Sequence, residues 1–318
     1  MEQVGTAEAE PGERSTGRLA VGEARDGLEI SLPVAVVNGA ADGPTVYIQA
    51  ASDGNELNGV GVVSRVLPEL DPDSLSGSVH VVGVANWHAY QRAEHLNPID
   101  RTKLNRAFPG DPEGSSSERI AAALYEIAAE ADLALDLHQG GTSRMIDEVR
   151  VRCGRHHDLH SECLELAKAF DIGHILDQQG PDGQLARALA DDGVPVVDPE
   201  LGGCVGWDEE SIQAGVDGVM SVLTAYGLLE GEITPGDQTR IAGFDQYDSP
   251  AGGLATLEVD LGESVNAGDL LYTVRTVFGE PKETVVAESD GILWRARRLP
   301  HVASGEYVCS VGTDVDVV

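Results

Sequence analysis

Acidic and imidazole side chains follow directly on two apolar, strand-like segments of the sequence. Asp53 and Glu56 come after TVYIQAA (45–51), and their three-residue spacing lets both carboxylates face one point if a helix starts near Gly59. His138 follows the second segment, LALDL, in the same way. Together these groups can supply three ligands to a divalent metal and leave a fourth place for water. DGNE alone is more typical of a turn or a helix N-cap, so that alternative stays open.

Two further segments carry groups suited to binding and converting a substrate. Asn105 and Arg106 lie in a long polar loop, KLNRAFPGDPEG, where an arginine fork beside an amide suits a substrate carboxylate. Arginines in loops are often simply solvated, so this signal is weak by itself. Glu200 ends a third apolar segment, VVDPELGG, and the glycines after it allow a substrate to approach closely. A carboxylate there can act as a general base on water and then as an acid to a leaving amine.

Alternating strand-like and helical segments up to about Gly231 predict the scaffold that positions these groups. The strand-like segments are 45–51, 78–84, 133–137, 149–152 and 194–200, and the helical ones are 59–70, 116–131, 160–170 and 211–227. This order predicts an α/β fold with a mixed, mostly parallel sheet and helices on both faces. Ligands of such sheets bind outside the carboxyl ends of the strands, which is where the candidate groups lie.

The pattern changes after residue 231. From about Ile233 to Val318, turn signals recur every eight to twelve residues without a helical pattern, which predicts a small all-β barrel or sandwich. The first residues are polar and acidic and are expected to be flexible. We therefore predict a flexible tail over 1–17, an α/β domain over 18–231 and a β-rich domain over 232–318.

The charge of the chain restricts its partners and its environment. It has 54 acidic and 21 basic residues, a formal net charge of −33. Such a surface repels DNA, RNA and anionic lipid, so neither nucleic acid nor membrane is expected as a partner. Concentrated salt screens the self-repulsion, and we hypothesise a halophilic protein from a salt-filled cell. The sequence has no secretion-signal pattern and no membrane-length apolar run, so a cytoplasmic location is expected.

A second metal site around the cysteines is less favoured. The chain has no CxxC pair, so free thiols are expected. Cys153, His156, His157, His160 and Cys163 are spaced closely enough to suggest a ligand cluster. However, Leu159, Cys163, Leu166 and Phe170 recur at helical spacing, and we interpret Cys163 as part of the core.

Taken together, the motifs resemble the succinylglutamate desuccinylase/aspartoacylase family, which has the zinc-carboxypeptidase-like fold. The family's His-Gly-(Asp/Asn)-Glu segment is matched from its glycine onward by GNELNG (54–59). Its Leu-Asn-Arg-x-Phe-Pro-Gly stands intact at 104–110, its Asp-Leu-His at 136–138 and its Glu-Leu-Gly-Gly at 200–203. The resemblance covers roughly residues 40–230 and extends more loosely to the C-terminal part, which is similar to a lipoyl-like domain. In the family, that domain caps the active site.

The resemblance implies roles for individual residues, and two positions depart from it. Glu56 and His138 would be metal ligands, the Asn105–Arg106 pair the substrate-carboxylate clamp, and Glu200 the general base. The family's first histidine ligand is Asp53 here, and the arginine that polarises the scissile carbonyl is replaced by His95. Asp53 would add a second negative charge at the metal, which weakens its Lewis acidity. The more oxygen-rich ligand set also shifts preference from zinc toward manganese or magnesium.

We therefore expect a metal-dependent hydrolase that cleaves the amide bond of a small N-acyl amino acid or a related carboxylate-bearing compound. Asp53, Glu56 and His138 would hold one divalent metal, which is zinc by resemblance, with manganese or another ion open. His95 or a nearby arginine would stabilise the oxyanion. The alternative is a catalytically silent relative that binds a small acidic metabolite. A carboxypeptidase is a weaker third interpretation, and a homo-oligomer stays open.

Overall fold

The computed structural model describes residues 1–204 and 206–318. Its α-helices are α1 (Asn58–Glu69), α2 (Trp87–Tyr90), α3 (Ser116–Ala128), α4 (His160–Phe170), α5 (Leu185–Asp191) and α6 (Glu209–Ala225). Short 3-10 helices lie at Pro72–Ser74 and Leu104–Arg106. The strands are β1 (Glu2–Val4), β2 (Ala7–Ala9), β3 (Glu13–Glu23), β4 (Glu29–Asn38), β5 (Ala41–Ala50), β6 (Ser76–Val82), β7 (Leu133–Leu137), β8 (Ser143–Met145), β9 (Glu148–Val151), β10 (His174–Asp177), β11 (Val196–Glu200), β12 (Thr239–Ile241), β13 (Gly243–Asp248), β14 (Gly253–Leu257), β15 (Ser264–Val265), β16 (Leu270–Arg275), β17 (Pro281–Val286), β18 (Gly291–Arg297), β19 (His301–Val302), β20 (Tyr307–Thr313) and β21 (Asp316–Val317).

A ten-stranded mixed sheet forms the centre of the molecule, in the order β21-β12-β10-β9-β11-β7-β5-β6-β4-β3. Parallel pairs join β9, β10 and β12, and also β11, β7, β5 and β6. The remaining neighbours pair antiparallel. Two groups of helices flank the sheet: α1 and α4 pack against α6, and α3 packs against α5. The predicted α/β class with a mixed sheet is confirmed.

Burial of the central strands explains why the sequence indicated them clearly. Every residue of β7 and of β11 is buried, so these strands appear as short apolar runs. Residues from β4, β5, β6 and β7 share one hydrophobic core with α1, α3, α4 and α6. The strand-like and helical segments predicted from the sequence all lie on observed elements of the same type. Within the α/β part, the sequence patterns missed β1 to β4, β8, β10, α2 and α5.

The predicted flexible tail over 1–17 is wrong. Strands β1 and β2 form a hairpin, and β3 pairs along its length with β4 at the edge of the large sheet. Val4, Ala7 and Ala9 are buried in the main core. The polar residues of β3 alternate with partly buried ones, which is how an edge strand with one solvated face appears in a sequence.

The C-terminal part forms two antiparallel sheets around a second core, as the turn spacing indicated. One sheet has the order β13-β20-β18-β15, with β8 pairing on β18, and the other has the order β17-β16-β14-β19. Strands β12 and β21 nevertheless belong to the large sheet, and β8 comes from the α/β part of the chain. The two parts are therefore joined through strand pairing. No helix in the described ranges has the length and apolarity needed to cross a bilayer.

Candidate metal centre and active site

The structure brings Asp53, Glu56 and His138 together at the carboxyl ends of β5 and β7. His138 Nδ1 lies 3.0 Å from Glu56 Oε2 and 3.8 Å from Asp53 Oδ2. All three side chains are buried. In the chain, His138 follows Asp53 by 85 positions and Glu56 by 82, and the parallel pairing of β5 with β7 brings them together. Their predicted convergence at neighbouring strand ends is therefore present.

Close backbone packing positions the loop that carries the two carboxylates. A Cβ on Gly54 would lie 2.2 Å from Ala89 C and Tyr90 N, so only glycine lets this loop approach the end of α2. Gln139 holds the other side: its Oε1 accepts from Leu57 N at 2.9 Å, and its backbone N–H donates to Glu56 Oε2 at 3.1 Å. The side chain of Gln139 thus satisfies an N–H group at the start of α1, whose N-cap residue makes no side-chain bond.

His138 is oriented by groups on its second ring nitrogen. Asp136 Oδ2 lies 3.0 Å from His138 Nε2, and Asn105 Nδ2 lies 2.9 Å from the same atom. Asp136 also accepts from Gln49 Nε2 at 2.8 Å, which fixes its orientation. When the proton is on Nε2 and is donated to Asp136, Nδ1 is free to bind a cation beside Glu56 and Asp53, and the Asn105 amide contacts the ring without donating to it. This is the carboxylate–histidine arrangement that supports metal-ligating imidazoles.

His95 approaches the same carboxylates from the opposite side. Its Nδ1 lies 3.6 Å from Asp53 Oδ1 and 3.9 Å from Glu56 Oε1, and its side chain is 41% exposed. Donor atoms of Asp53, Glu56 and His95 all lie within 4.8 Å of one another. We call these three residues the open triad.

Lys103 supplies a positive charge to the open triad. Its Nζ lies 3.0 Å from Asp53 Oδ2 and forms an ion pair there without hydrogen-bond alignment. The pair offsets the negative charge that an aspartate brings relative to a histidine. The other oxygen of Asp53, Oδ1, lies near His95 and is not part of this ion pair.

The donor set fits a divalent cation. Both oxygens of Asp53 are buried and accept no hydrogen bond in the described chain, which is costly unless cations compensate. Lys103 compensates at Oδ2, and Oδ1 stays available to a metal ion. Ligand bonds of about 2.0–2.2 Å separate neighbouring donors of a tetrahedral site by about 3.4 Å. The imidazole–carboxylate separations around Asp53 and Glu56 run from 3.0 to 3.9 Å. The residues present can therefore surround such an ion with little movement.

The protonation of these groups reflects burial and mutual charge. Burial raises the pKa of Glu56 to about 7, with Asp53 adding to the rise and the His138 hydrogen bond opposing it. Burial alone would lower the pKa of His138, but Asp136 and Glu56 hold it well above the usual value. The pKa of His95 is lowered, chiefly by burial, while the Asp53 charge opposes the shift. A cation at Asp53 and Glu56 would compete with these protons.

Glu200 lies beside His138 across the sheet and belongs to a chain of paired charges. His138 N donates to Pro199 O at 2.8 Å, next to the β11 terminus. Arg150 Nη1 lies 2.5 Å from Glu200 Oε1, and Arg150 Nε donates to Glu148 Oε1 at 2.5 Å. Glu148 in turn accepts from the buried Trp294 Nε1 of the β-rich part. We call Trp294, Glu148, Arg150 and Glu200 the ionic chain.

The ionic chain keeps Glu200 charged. Burial by itself would raise the pKa of Glu200, but Arg150 and more distant cations outweigh it, so the pKa is below the usual value. An ionised carboxylate can accept a proton, which is the state that a general base needs. A low pKa also makes it a weaker base.

The two residues of the predicted carboxylate clamp have different surroundings. Asn105 is buried, and besides contacting His138 its Oδ1 accepts from Leu185 N at 3.0 Å. Arg106 is exposed, and its guanidinium donates to the Asn105 carbonyl. Among the described residues, Arg106 has no carboxylate partner. Arg106 is thus available to an anionic ligand, whereas Asn105 is held by the protein.

The cysteine–histidine cluster lies apart from this site. Cys153 and Cys163 are buried, free thiols. His157 pairs with Asp191 at 3.2 Å, and His160 pairs with Asp177 at 2.9 Å. Within the described ranges, the open triad is the group with metal-ligand spacing. The interpretation of Cys163 as a core residue is correct.

Asp136, Lys103 and Arg150 are the site residues that the sequence reasoning did not single out. Asp136 could have been found from the sequence. Residues i and i+2 of a strand point to the same face, and His138 follows Asp136 at that spacing. Lys103 and Arg150 could not have been found in this way, since their partners lie about 50 positions away in the chain.

The fold is an α/β sheet with candidate metal ligands at its strand ends and an additional part of two antiparallel sheets. The model of the succinylglutamate desuccinylase/aspartoacylase catalytic domain matches residues 42–226. The chain belongs to that family, as the motifs indicated. It is 32% identical over 285 residues, which are 85% of this chain and 82% of the relative, to the N-alpha-acetyl-L-2,4-diaminobutyric acid deacetylase of Halomonas elongata.

Solved structures share the whole architecture. The product-bound ectoine utilization protein EutE (DoeB) from Ruegeria pomeroyi superposes with a TM-score of 0.84 at 26% identity, covering 94% of each chain. A succinylglutamate desuccinylase/aspartoacylase from Rhodobacter sphaeroides gives 0.81 at 26% identity, covering 94% of this chain and 95% of its own. The similarity therefore includes the β-rich part as well as the α/β domain.

Proposed function

We propose that this protein is a metal-dependent deacylase that hydrolyses the amide bond of a small N-acyl amino acid. The observation that carries the proposal is the buried Asp53 carboxylate, whose oxygens accept no hydrogen bond in the described chain, beside Glu56 and two imidazoles at ligand spacing. Arg106, which has no carboxylate partner among the described residues, acts on the charge of His95, and Glu200 acts on that of Glu56. Family membership supports the same reaction class.

Each residue has a defined task in this reaction. Asp53, Glu56 and His138 would hold the divalent ion, which would polarise the scissile carbonyl and make a water molecule more acidic. Arg106 binds the substrate carboxylate and fixes the amide in the cleft. Glu200 accepts a proton from the attacking water and returns it to the leaving amine. Lys103 offsets the Asp53 charge, so that the ion keeps more of its Lewis acidity.

The substrate class follows from the relative and from charge. The Halomonas elongata relative is named for an acetylated diamino acid, and we propose that this chain likewise removes an acetyl group from a small diamino acid. A second amino group on the substrate would be attracted by a protein of net charge −33. We further propose a cytoplasmic setting with high salt, and zinc or manganese as the ion.

Release of a free amine tests the proposal. The purified protein would be incubated with N-α-acetyl-L-2,4-diaminobutyrate, N-acetylaspartate and N-succinylglutamate, each with zinc or manganese. We expect amine release from the first compound, and loss of at least about 100-fold in rate for Glu200→Gln. No amine release from any of the three with either metal would contradict the proposal.

A catalytically silent relative is the second candidate, and the Lys103–Asp53 pair favours it. An ammonium 3.0 Å from a ligand oxygen can take over part of the charge-neutralising role of a metal. Asp53→His separates the two candidates. A gain of metal binding and activity would identify the natural protein as silent, and a loss would identify aspartate as the working ligand.

A further inference from the structure

We propose that His95 is a direct ligand of the metal ion, together with Asp53 and Glu56. This inference rests on the proposed function, because it assigns a ligand to the ion of the same site. It differs from the role predicted for His95 from the sequence, which was to stabilise the oxyanion of the substrate.

Distances place His95 Nδ1 in the ligand position. It lies 3.6 Å from Asp53 Oδ1 and 3.9 Å from Glu56 Oε1, close to the separation of about 3.4 Å between neighbouring donors around one ion. An oxyanion donor would direct its N–H at the substrate. Here the nitrogen lies within 3.9 Å of oxygens of two carboxylates, which is the spacing of co-ligands.

The atoms that face His95 are also the ones with free lone pairs. Asp53 Oδ1 has no hydrogen-bond partner in the described chain, and Glu56 Oε1 accepts no hydrogen bond there. The other oxygen of each carboxylate is engaged. Glu56 Oε2 contacts His138 Nδ1 and accepts from Gln139 N, while Asp53 Oδ2 pairs with Lys103. Three unengaged donors therefore converge on one point, and His95 contributes the only imidazole among them.

The loop that carries His95 is braced, so the position of the side chain is not incidental. Asn97 N donates to Thr102 O at 3.0 Å, and Asn97 Nδ2 donates to Ser117 Oγ at 3.1 Å. Asp100 Oδ2 accepts from Ser117 N at 2.6 Å, which ties the loop to the start of α3. A ligand on a braced segment is preorganised and loses little entropy on binding.

A ligand set of two carboxylates and two imidazoles follows if His138 binds as proposed above. The imidazole absent at position 53 would thus be supplied from a different loop. Four protein ligands plus a water require five- or six-coordination, which manganese accepts readily and zinc accepts on expansion.

Cobalt(II) binding to the full-length protein tests the inference. Cobalt would be titrated into wild type, His95→Ala and the control His88→Ala, whose histidine lies seven residues away on α2. Competition with a chelator gives the affinity, and the visible spectrum gives the coordination. We expect His95→Ala to lose on the order of 100-fold in affinity and to change the spectrum, with His88→Ala unchanged. Added imidazole should restore the spectrum of His95→Ala.

Two contrary results are distinguishable. If the wild type binds cobalt and His95→Ala binds it within about threefold with the same spectrum, His95 is not a ligand, and the proposed deacylase function is unaffected. If the wild type binds no cobalt, both the inference and the metal-dependent function are overturned. Circular dichroism of each variant establishes that loss of binding is not loss of fold.

Discussion

The open triad and the ionic chain each contain two buried carboxylates, yet these carboxylates are paired in different ways. In the ionic chain, Glu148 and Glu200 share Arg150, with contacts of 2.5 Å on each side. In the open triad, Asp53 has one ion pair and no hydrogen bond, and Glu56 has an elevated pKa of about 7. Fully paired carboxylates are explained by the fold alone. The carboxylates of the open triad have fewer partners, and we propose that a bound cation completes their pairing.

Neutralising Glu56 should have the largest effect on metal binding and on activity. Glu56→Gln removes a ligand, and we expect loss of metal binding and a fall of at least about 1,000-fold in kcat/KM. The metal-free variant should be no less stable than the metal-free wild type, because a buried charge is removed. Isothermal titration, amine release and urea unfolding measure the three quantities. The exposed Glu69→Gln is the matched control and should change none of them.

Removing the arginine of the ionic chain should lower the free energy of unfolding. Arg150→Met leaves Glu148 and Glu200 without their shared cation, and we expect a loss of about 3–5 kcal/mol in the free energy of unfolding. Arg65→Met, which breaks a surface pair with Glu209, should cost less than about 1 kcal/mol. Equal effects of the two variants in urea unfolding would contradict the distinction.

The same variant should move the pH profile. Without Arg150, the burial that raises the pKa of Glu200 would be less opposed. Because the base must be ionised, the acid limb of kcat/KM should shift to higher pH in Arg150→Met. An acid limb at the wild-type pH would remove Glu200 from the role of base.

The substrate clamp should show a binding effect without a metal effect. Arg106→Ala removes a charge-assisted contact, and we expect kcat/KM to fall by on the order of 30- to 100-fold, mainly through KM. Metal affinity should be unchanged. Arg101→Ala, an exposed arginine in the preceding loop, is the control and should behave as wild type.

Metal should change the pH dependence of stability. Glu56 has a higher pKa in the folded protein than its ordinary value of 4.5, so the metal-free fold binds this proton more tightly than the unfolded chain does. Stability of the metal-free protein should therefore fall as pH rises from about 4.5 through 7, by at most about 3 kcal/mol. The metal-loaded protein should not lose this stability. Urea unfolding across pH, with and without metal, measures the difference.

How much of the fold and of the two sites could be predicted from the sequence depends on how far apart in the chain the interacting residues lie. Strands β5 and β7 and the side chains after them were predictable, because burial on both faces produces apolar runs and Asp53 and His138 follow directly. Strand β3 was not, since an edge strand with one solvated face resembles a polar tail. The roles of Lys103 and His95 depend on how their loop folds over the strand ends. No local pattern encodes that approach.

The motifs shared with the family were sufficient to predict the fold. They could not predict that the carboxylates of the ionic chain are paired with an arginine and that those of the open triad are not. Arg150 lies in a segment, VRVR, that is correctly predicted as a strand. Its partner Glu200 is set by antiparallel pairing of β9 with β11, which the alternation of elements does not specify. Register between distant strands, rather than composition, decides which carboxylates are neutralised.

Anomalous diffraction from crystals soaked in manganese or zinc tests the central claim most directly. We expect one peak at the absorption edge of the metal, within bonding distance of carboxylate oxygens of Asp53 and Glu56 and of the Nδ1 atoms of His138 and His95. A site that stays empty at saturating metal, with Lys103 still paired to Asp53, would contradict the account and leave only the scaffold and the family.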